Sequence, residues 1–282
     1  LSACACSSDV VSGEKFHSKI LSMDFEIDLK LGNALINMYG KCGKLEAARS
    51  VFDRLIGRNL ISWNVMLGAY AQRSDGQTVV MDLLDQMGKE GFQLNDVTFL
   101  SITSVCSLLH LLKLFETISN VNVAVWNAVI SSCICNRENE KGLQCFQQMQ
   151  EEGFVPNEIT LISVLPVYSC EEKLLEGKRR HALIVGSGFD CVTCVANALM
   201  SMYQKCSRLE DAEMTFRNLV ERNIVSFTLM MLVFMQTRRC SDALELFHQI
   251  QWEGFLPDAF TYASALDACT SLYAFSTTVQ RV

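Results

Sequence analysis

Proline is almost missing from this chain: 3 residues in 282, beside only 15 glycines. So few turn formers exclude a many-turned all-β fold and a collagen-like or low-complexity chain. Long hydrophobic runs are missing too. The longest, Ile224–Met235, falls well short of the ~20 residues needed to cross a bilayer, and no charged stretch followed by an apolar one opens the sequence. Basic residues are outnumbered, 24 Lys and Arg against 31 Asp and Glu, for a net charge of −7 and a pI near 5.2. That balance excludes a generic nucleic-acid coat, because phosphate binding rests on Lys and Arg. Histidine is scarce, and none of the 4 is followed two residues later by Glu, as a zinc deaminase requires. P-loop, G-x-S-x-G and H-E-x-x-H strings are absent as well. No catalytic residue, metal or cofactor is expected.

Half the residues are hydrophobic, so a core is within reach. The 13 cysteines are odd in number and scattered through helical patterns, which points to a reduced compartment rather than a disulfide framework. Cys191 and Cys194 have CxxC spacing, but no second pair lies near to complete four zinc ligands. Cys4, Cys106 and Cys269 fall at one equivalent position and Cys42 and Cys206 at another. They read as small buried residues.

Self-comparison sets the organisation. NALINMYGKCGKLEAARSVF (33–52) returns as NALMSMYQKCSRLEDAEMTF (197–216), and FQQMQEEGFVPN (146–157) returns as FHQIQWEGFLPD (247–258). LISWN, VAVWN and IVSFT begin at 60, 123 and 224. These matches divide the chain into 1–28 (long type, partial), 29–59 (short), 60–95 (standard), 96–122 (a collapsed hybrid of long and short), 123–157 (standard), 158–192 (long), 193–223 (short), 224–258 (standard) and 259–282 (long, partial). Each repeat reads as two helices. In 123–157, Trp126, Val129, Ile130 and Cys133 make an i, i+3, i+4, i+7 stripe, and Gly153 and Pro156 stop the second helix. A lone pair of helices cannot bury its stripe, whereas stacked pairs can. The expected fold is all-α, a single right-handed α-solenoid of helix-turn-helix repeats. Pro166 falls inside a first helix and should shorten or kink it.

The strings NALINMYGKCGKLEAARSVF, ISWNVMLGAYAQ, VWNAVIS with MQEEGFVPN, and LEGKRRHALIVGSGF resemble the plant pentatricopeptide repeat proteins of the class with alternating long, short and standard motifs. The resemblance covers essentially the whole chain. It implies sequence-selective binding of single-stranded RNA, one base per repeat, by a specificity factor in organellar RNA editing or processing, with an enzyme supplied in trans and no membrane or DNA partner. It implies a mitochondrial or chloroplast address, although no targeting segment opens this sequence. A start at Leu1 and a stop within a repeat read as an incomplete chain.

The resemblance assigns base reading to the fifth and last residues of each repeat: Asn33 with Asn59, Asn64 with Asn95, Asn127 with Asn157, Asn197 with Asn223, and Thr228 with Asp258. Asn–Asn pairs would favour pyrimidines and Thr–Asp guanine. Ile162 and Val192 make the long repeat a poor reader. Ile61 and Val225 would pack against bases; Lys30, Ala124 and Cys194 depart from that pattern. Lys41 and Lys205 would meet the RNA backbone.

Each assignment has a structural rival. Asn33, Asn64, Asn127 and Asn197 are also suited to cap or begin helices. Asn59, Asn157 and Asn223 are suited to left-handed turns after them. Lys178-Arg179-Arg180 reads as a solvated face, and His17 and His181, each in a G-x-x-x-H string, as packing residues. Two other readings of the whole chain stand beside RNA binding: a protein-interaction scaffold, and a degenerate fragment without activity.

Overall fold

The computed structural model describes residues 9–22, 28–73, 76–118 and 120–279, with side chains as far as residue 272. Every regular element among these residues is helical, and no helix is long and apolar enough to cross a membrane. The chain forms two compact halves, Leu1–Asn136 and Arg137–Val282. The first carries α1 (Val10–Ser22), α2 (Leu29–Lys41), α3 (Leu45–Arg54), α4 (Leu60–Ala71), α5 (Gln77–Lys89), α6 (Asp96–Ile102), α7 (Leu108–Phe115) and α8 (Val123–Cys135). The second carries α9 (Asn139–Glu151), α10 (Glu158–Val164), α11 (Leu174–Gly186), α12 (Thr193–Lys205), α13 (Leu209–Asn218), α14 (Ile224–Gln236), α15 (Cys240–Trp252) and α16 (Ala259–Val279).

Helices pair in sequence, α2 with α3 and α12 with α13, and within each half successive first helices pack on one another: α2 on α4, α4 on α6 and α6 on α8 in the first, α10 on α12, α12 on α14 and α14 on α16 in the second. The apolar stripes explain this. Leu35, Ile36, Met38 and Tyr39 of α2 are buried, as are Leu199, Met200, Met202 and Tyr203 of α12, one residue type nearly matching the other at each place. Removing each such side chain from water contributes about 1.5–3 kcal/mol. Rings join one repeat to the next: Phe52 meets Trp63 edge-on at 4.8 Å, and Phe216 meets Phe227 at 5.4 Å. Phe115 meets Trp126 in the same way at 4.8 Å. The shortened stretch 96–122 therefore closes against its successor as the 31-residue repeats do, although its helices have only 7 and 8 residues.

The repeated G-x-x-x-H string is a clasp. His17 Nδ1 lies 2.8 Å from the Tyr39 hydroxyl, and His181 Nδ1 lies 2.8 Å from that of Tyr203. One turn earlier, a Cβ on Gly13 would stand 2.3 Å from Met38 Sδ, and one on Gly177 would stand 2.9 Å from Met202 Sδ. Glycine lets the methionine in, and the next residue of the partner helix takes the histidine. Burial lowers the pKa of both imidazoles and raises Tyr203 to about 12.

Left-handed backbone occurs at set places whatever residue stands there. Gly43 (φ 73°) and Ser207 (φ 54°) occupy one such place, Arg137 (φ 64°) and Arg238 (φ 59°) another. Gly153 and Gly254 end α9 and α15 with φ 84° and 81°. Pro166 acts as its geometry requires: α10 stops at Val164 and the chain continues as a 3-10 turn over Leu165–Tyr168. Trp63 and Trp126 are fully buried, and Trp252 is exposed. The cysteines are less uniform than expected. Cys206 is buried, Cys42 and Cys106 are half-buried, and Cys269 is exposed because no later helix among the described residues covers α16. Cys4 lies outside the described residues.

Candidate nucleic-acid interface

The last residue of a repeat proves to be the first fixed point of the next. Asn59, Asn95, Asn157, Asn223 and Asp258 are not in left-handed turns. Asn59, Asn95, Asn157 and Asn223 have extended backbone and serve as N-caps of α4, α6, α10 and α14. Each side-chain Oδ1 accepts the backbone N–H three residues on, from Ser62, Thr98, Thr160 and Ser226, at 2.9–3.1 Å. Asp258 Oδ1 accepts from the Thr261 N–H at 2.8 Å. The left-handed turn does exist, but glycine takes it a few residues earlier, at Gly57, Gly91, Gly153 and Gly254. A further cap was not legible as part of the series: Asn122, which caps α8 and donates from Nδ2 to Asp96. The end of the collapsed stretch carries the same cap chemistry as its neighbours.

The fifth residues Asn33, Asn64, Asn127 and Asn197 cap nothing. They sit one turn inside α2, α4, α8 and α12. Two of them reach the last residue of their own repeat: Asn64 Nδ2 is 3.5 Å from Asn95 Oδ1, and Asn197 Nδ2 is 3.4 Å from Asn223 Oδ1. In the fifth pair, Thr228 meets Thr261 hydroxyl to hydroxyl at 3.1 Å, and Thr261 in turn donates to Asp258 Oδ1 at 2.7 Å. Asn127 belongs to the first half and Asn157 to the second.

Capping fixes polarity. An amide that accepts through Oδ1 must turn Nδ2 the other way, so a capping Asn offers a donor. A capping Asp offers its second carboxylate oxygen, an acceptor. The Thr261 hydroxyl and N–H on Asp258 hold its carboxyl below the usual carboxylate range, so it stays ionised at neutral pH. Behind the pairs, Asn33 Oδ1 and Asn197 Oδ1 are buried without a hydrogen-bond partner. Such an acceptor costs about 1–3 kcal/mol until a donor reaches it.

Ile61 and Val225, the residues expected to pack on bases, are 60% and 50% exposed. The second residue of the other repeats is open as well, and Val97, Ile159 and Phe260 extend the apolar series. Lys41 and Lys205 are exposed at the last residues of α2 and α12. The Lys178-Arg179-Arg180 run is largely spoken for. Lys178 pairs with Asp211 at 2.8 Å, and Arg180 lies 3.6 Å from Glu176 and over the Phe146 ring. Cys191 and Cys194 are both exposed, and no group of residues among those described could hold a metal ion.

Four segments, 33–60, 124–154, 194–224 and 225–255, match the profile of the PPR repeat family. The chain carries PPR repeats. Its PPR relatives are plant proteins. Pentatricopeptide repeat-containing protein At3g49142 of Arabidopsis thaliana is 31% identical over 275 residues, covering 96% of this chain and 40% of its own length. The chloroplastic At1g11290 and the mitochondrial At4g32430, also from Arabidopsis thaliana, are 28% and 27% identical over 96% and 95% of the chain and 38% and 39% of their own lengths. The chain thus spans about two fifths of the length of these relatives. Its fold is that of a solved PPR solenoid. PPR10 in complex with an 18-nt psaJ RNA element superposes with a TM-score of 0.74 at 19% identity, over 94% of this chain and 41% of PPR10.

Proposed function

We propose that this chain binds single-stranded RNA in a sequence-selective way, one base per repeat, as a specificity factor in organellar RNA editing or processing. The observation that carries the reading is the recurring junction of a fifth residue, a last residue and the capped helix beyond. At the junctions within each half a fixed hydrogen-bonding group is left over. Asn59, Asn95 and Asn223 offer Nδ2 donors, which suit the O2 and N3 acceptors of cytosine or the carbonyls of uracil. Asp258 offers an acceptor, which suits the N1–H and N2–H of guanine. Ile61 and Val225 lie against base faces, and Lys41 and Lys205 guide the backbone.

The organellar assignment rests on the chloroplastic and mitochondrial names of the relatives. RNA as partner is supported by the PPR10 complex. Editing or processing is done by an enzyme in trans, with this chain supplying the address. An acidic chain that places only Lys41 and Lys205 along the backbone path binds RNA with a shallow salt dependence.

The reading is tested with a pyrimidine-rich RNA ending in G at its 3′ side and a scrambled control, against the wild type and Thr228→Asn. The expected result is preference for the ordered RNA, with the terminal choice moved from G toward pyrimidine in the variant. Equal binding of both RNAs, unchanged by the substitution, sinks the assignment.

A further inference from the structure

We infer that base choice in one repeat is set in part by a buried hydroxyl of the next: Thr98 positions the Asn64–Asn95 pair, and Thr261 positions Thr228–Asp258. The inference rests on the RNA-reading role above and adds a residue that touches no base. Thr98 is fully buried. Its Oγ1 lies 2.5 Å from Asn64 Oδ1 and 2.7 Å from Asn95 Oδ1, and its backbone N–H donates to Asn95 Oδ1 at 2.9 Å. One hydroxyl proton thus draws two amide oxygens to the same buried point. Asn95 Nδ2 is left on the other side as a donor, and Asn64 Nδ2, 3.5 Å from Asn95 Oδ1, keeps its second hydrogen as one. Thr261 is fully buried as well, and puts its N–H and its hydroxyl on the same oxygen of Asp258. That leaves Oδ2 as the acceptor. The Thr261 proton being committed, Thr228 shares its own between Thr261 and the Ile224 carbonyl, 3.1 and 2.7 Å away. Thr228 then keeps only acceptor capacity.

The 31-residue repeats lack this bridge. Ser62 and Ser226 hold only the capping residue, at 3.1 and 2.9 Å. They leave Asn33 Oδ1 and Asn197 Oδ1 unpaired. Threonine-bridged repeats are therefore the stricter readers, and serine-capped ones the more tolerant.

The test uses the whole chain and four RNAs differing only in the base opposite repeat 60–95. Thr98→Val keeps the side-chain shape and the backbone cap bond. It leaves Asn64 Oδ1 as Asn33 Oδ1 already stands, a state this fold accommodates. Thr98→Ser keeps the hydroxyl. In the wild type we expect a pyrimidine preference at that nucleotide; Thr98→Val flattens it about 3- to 10-fold, the size of one lost hydrogen bond. Preferences at other nucleotides stay as they are, and Thr98→Ser retains the preference. Thermal melting of each variant accompanies the binding, so that a loss of fold is read as such. A preference unchanged in a folded Thr98→Val, or affinity lost equally for all four RNAs, overturns the inference while leaving RNA reading intact. If Thr98→Val does not fold, Thr261→Val carries the same test at the guanine position. A wild type without any base preference overturns the RNA reading and this inference together.

Discussion

Residues 29–95 and 193–258 are one two-repeat block written twice, once in each half of the molecule. Their cores are nearly the same object. Phe52 and Phe216 face Trp63 and Phe227, and Arg58 and Arg222 lie over the Phe52 and Phe216 rings at 5.0 and 4.5 Å. Differences gather in three places: the residues offered at the second repeat's junction, the contact between neighbouring first helices, and the left-handed turn. Asn64 with Asn95 became Thr228 with Asp258. Gln204 and Val233 stand at the places of Gly40 and Ala69. Gly43 became Ser207. The residues at the junction can be exchanged, in other words, without disturbing what holds the block up.

The largest effect should come from erasing the difference at the junction. Asp258→Asn keeps a capping side chain but replaces an acceptor by a donor. Binding of an RNA with guanine at that position should drop by about 10- to 100-fold and a pyrimidine should take its place, as titrations with the four bases will show. Next is the helix contact. A Cβ on Gly40 would lie 2.6 Å from Ala69 Cβ, with no flexible end to yield. Gly40→Gln, which copies the second block into the first, should cost about 1–3 kcal/mol in chemical denaturation. Asn95→Ala should cost about 1 kcal/mol, the ordinary value of an N-cap, with Asn223→Ala close to it. In the opposite direction, Ser207→Gly relieves a left-handed non-glycine residue at the place where Gly43 already stands, and should stabilise by about 0.5–1 kcal/mol.

The smallest effect concerns the clasps. Burial lowers the folded-state pKa of His17 and His181 below the ordinary histidine value of about 6.5. The unfolded chain then takes up protons first as pH falls, so stability declines from about pH 7 through 6.5 and levels off below the folded pKa. Replacing His181 by Gln should remove about 1–3 °C of that acid loss in a melting series.

The helices, their pairing and most of the core were legible in the sequence, because each stripe recurs at a fixed distance in a chain with few competing turn signals. The Phe52–Trp63 and Phe216–Phe227 contacts join residues that the repeat register already sets side by side. The caps were less legible. Asn59 and Asn157 follow Gly57 and Gly153 so closely that glycine and asparagine read as one turn; only the backbone separates the left-handed glycine from the extended cap. The threonine bridge could not be read at all. Thr98 and Ser62 differ by a methyl group and stand in the same register, yet one hydroxyl reaches two asparagines and the other reaches one. That depends on tenths of an ångström, which spacing does not encode. The clasp lay between: its repetition was visible, and its partners, 22 residues on in both cases, were not.

On the RNA reading proposed above, a capping residue shared across a repeat boundary limits how such an array can change its target. A side chain that must also cap the following helix is drawn from a short vocabulary, essentially Asn, Asp, Ser, Thr and Gly; Val192, before α12, makes no such bond. Any letter outside it would rewrite a base only by loosening the helix behind. Retargeting is thus confined to words the scaffold can also pronounce. The fifth position, which caps nothing, is where novelty comes cheaply.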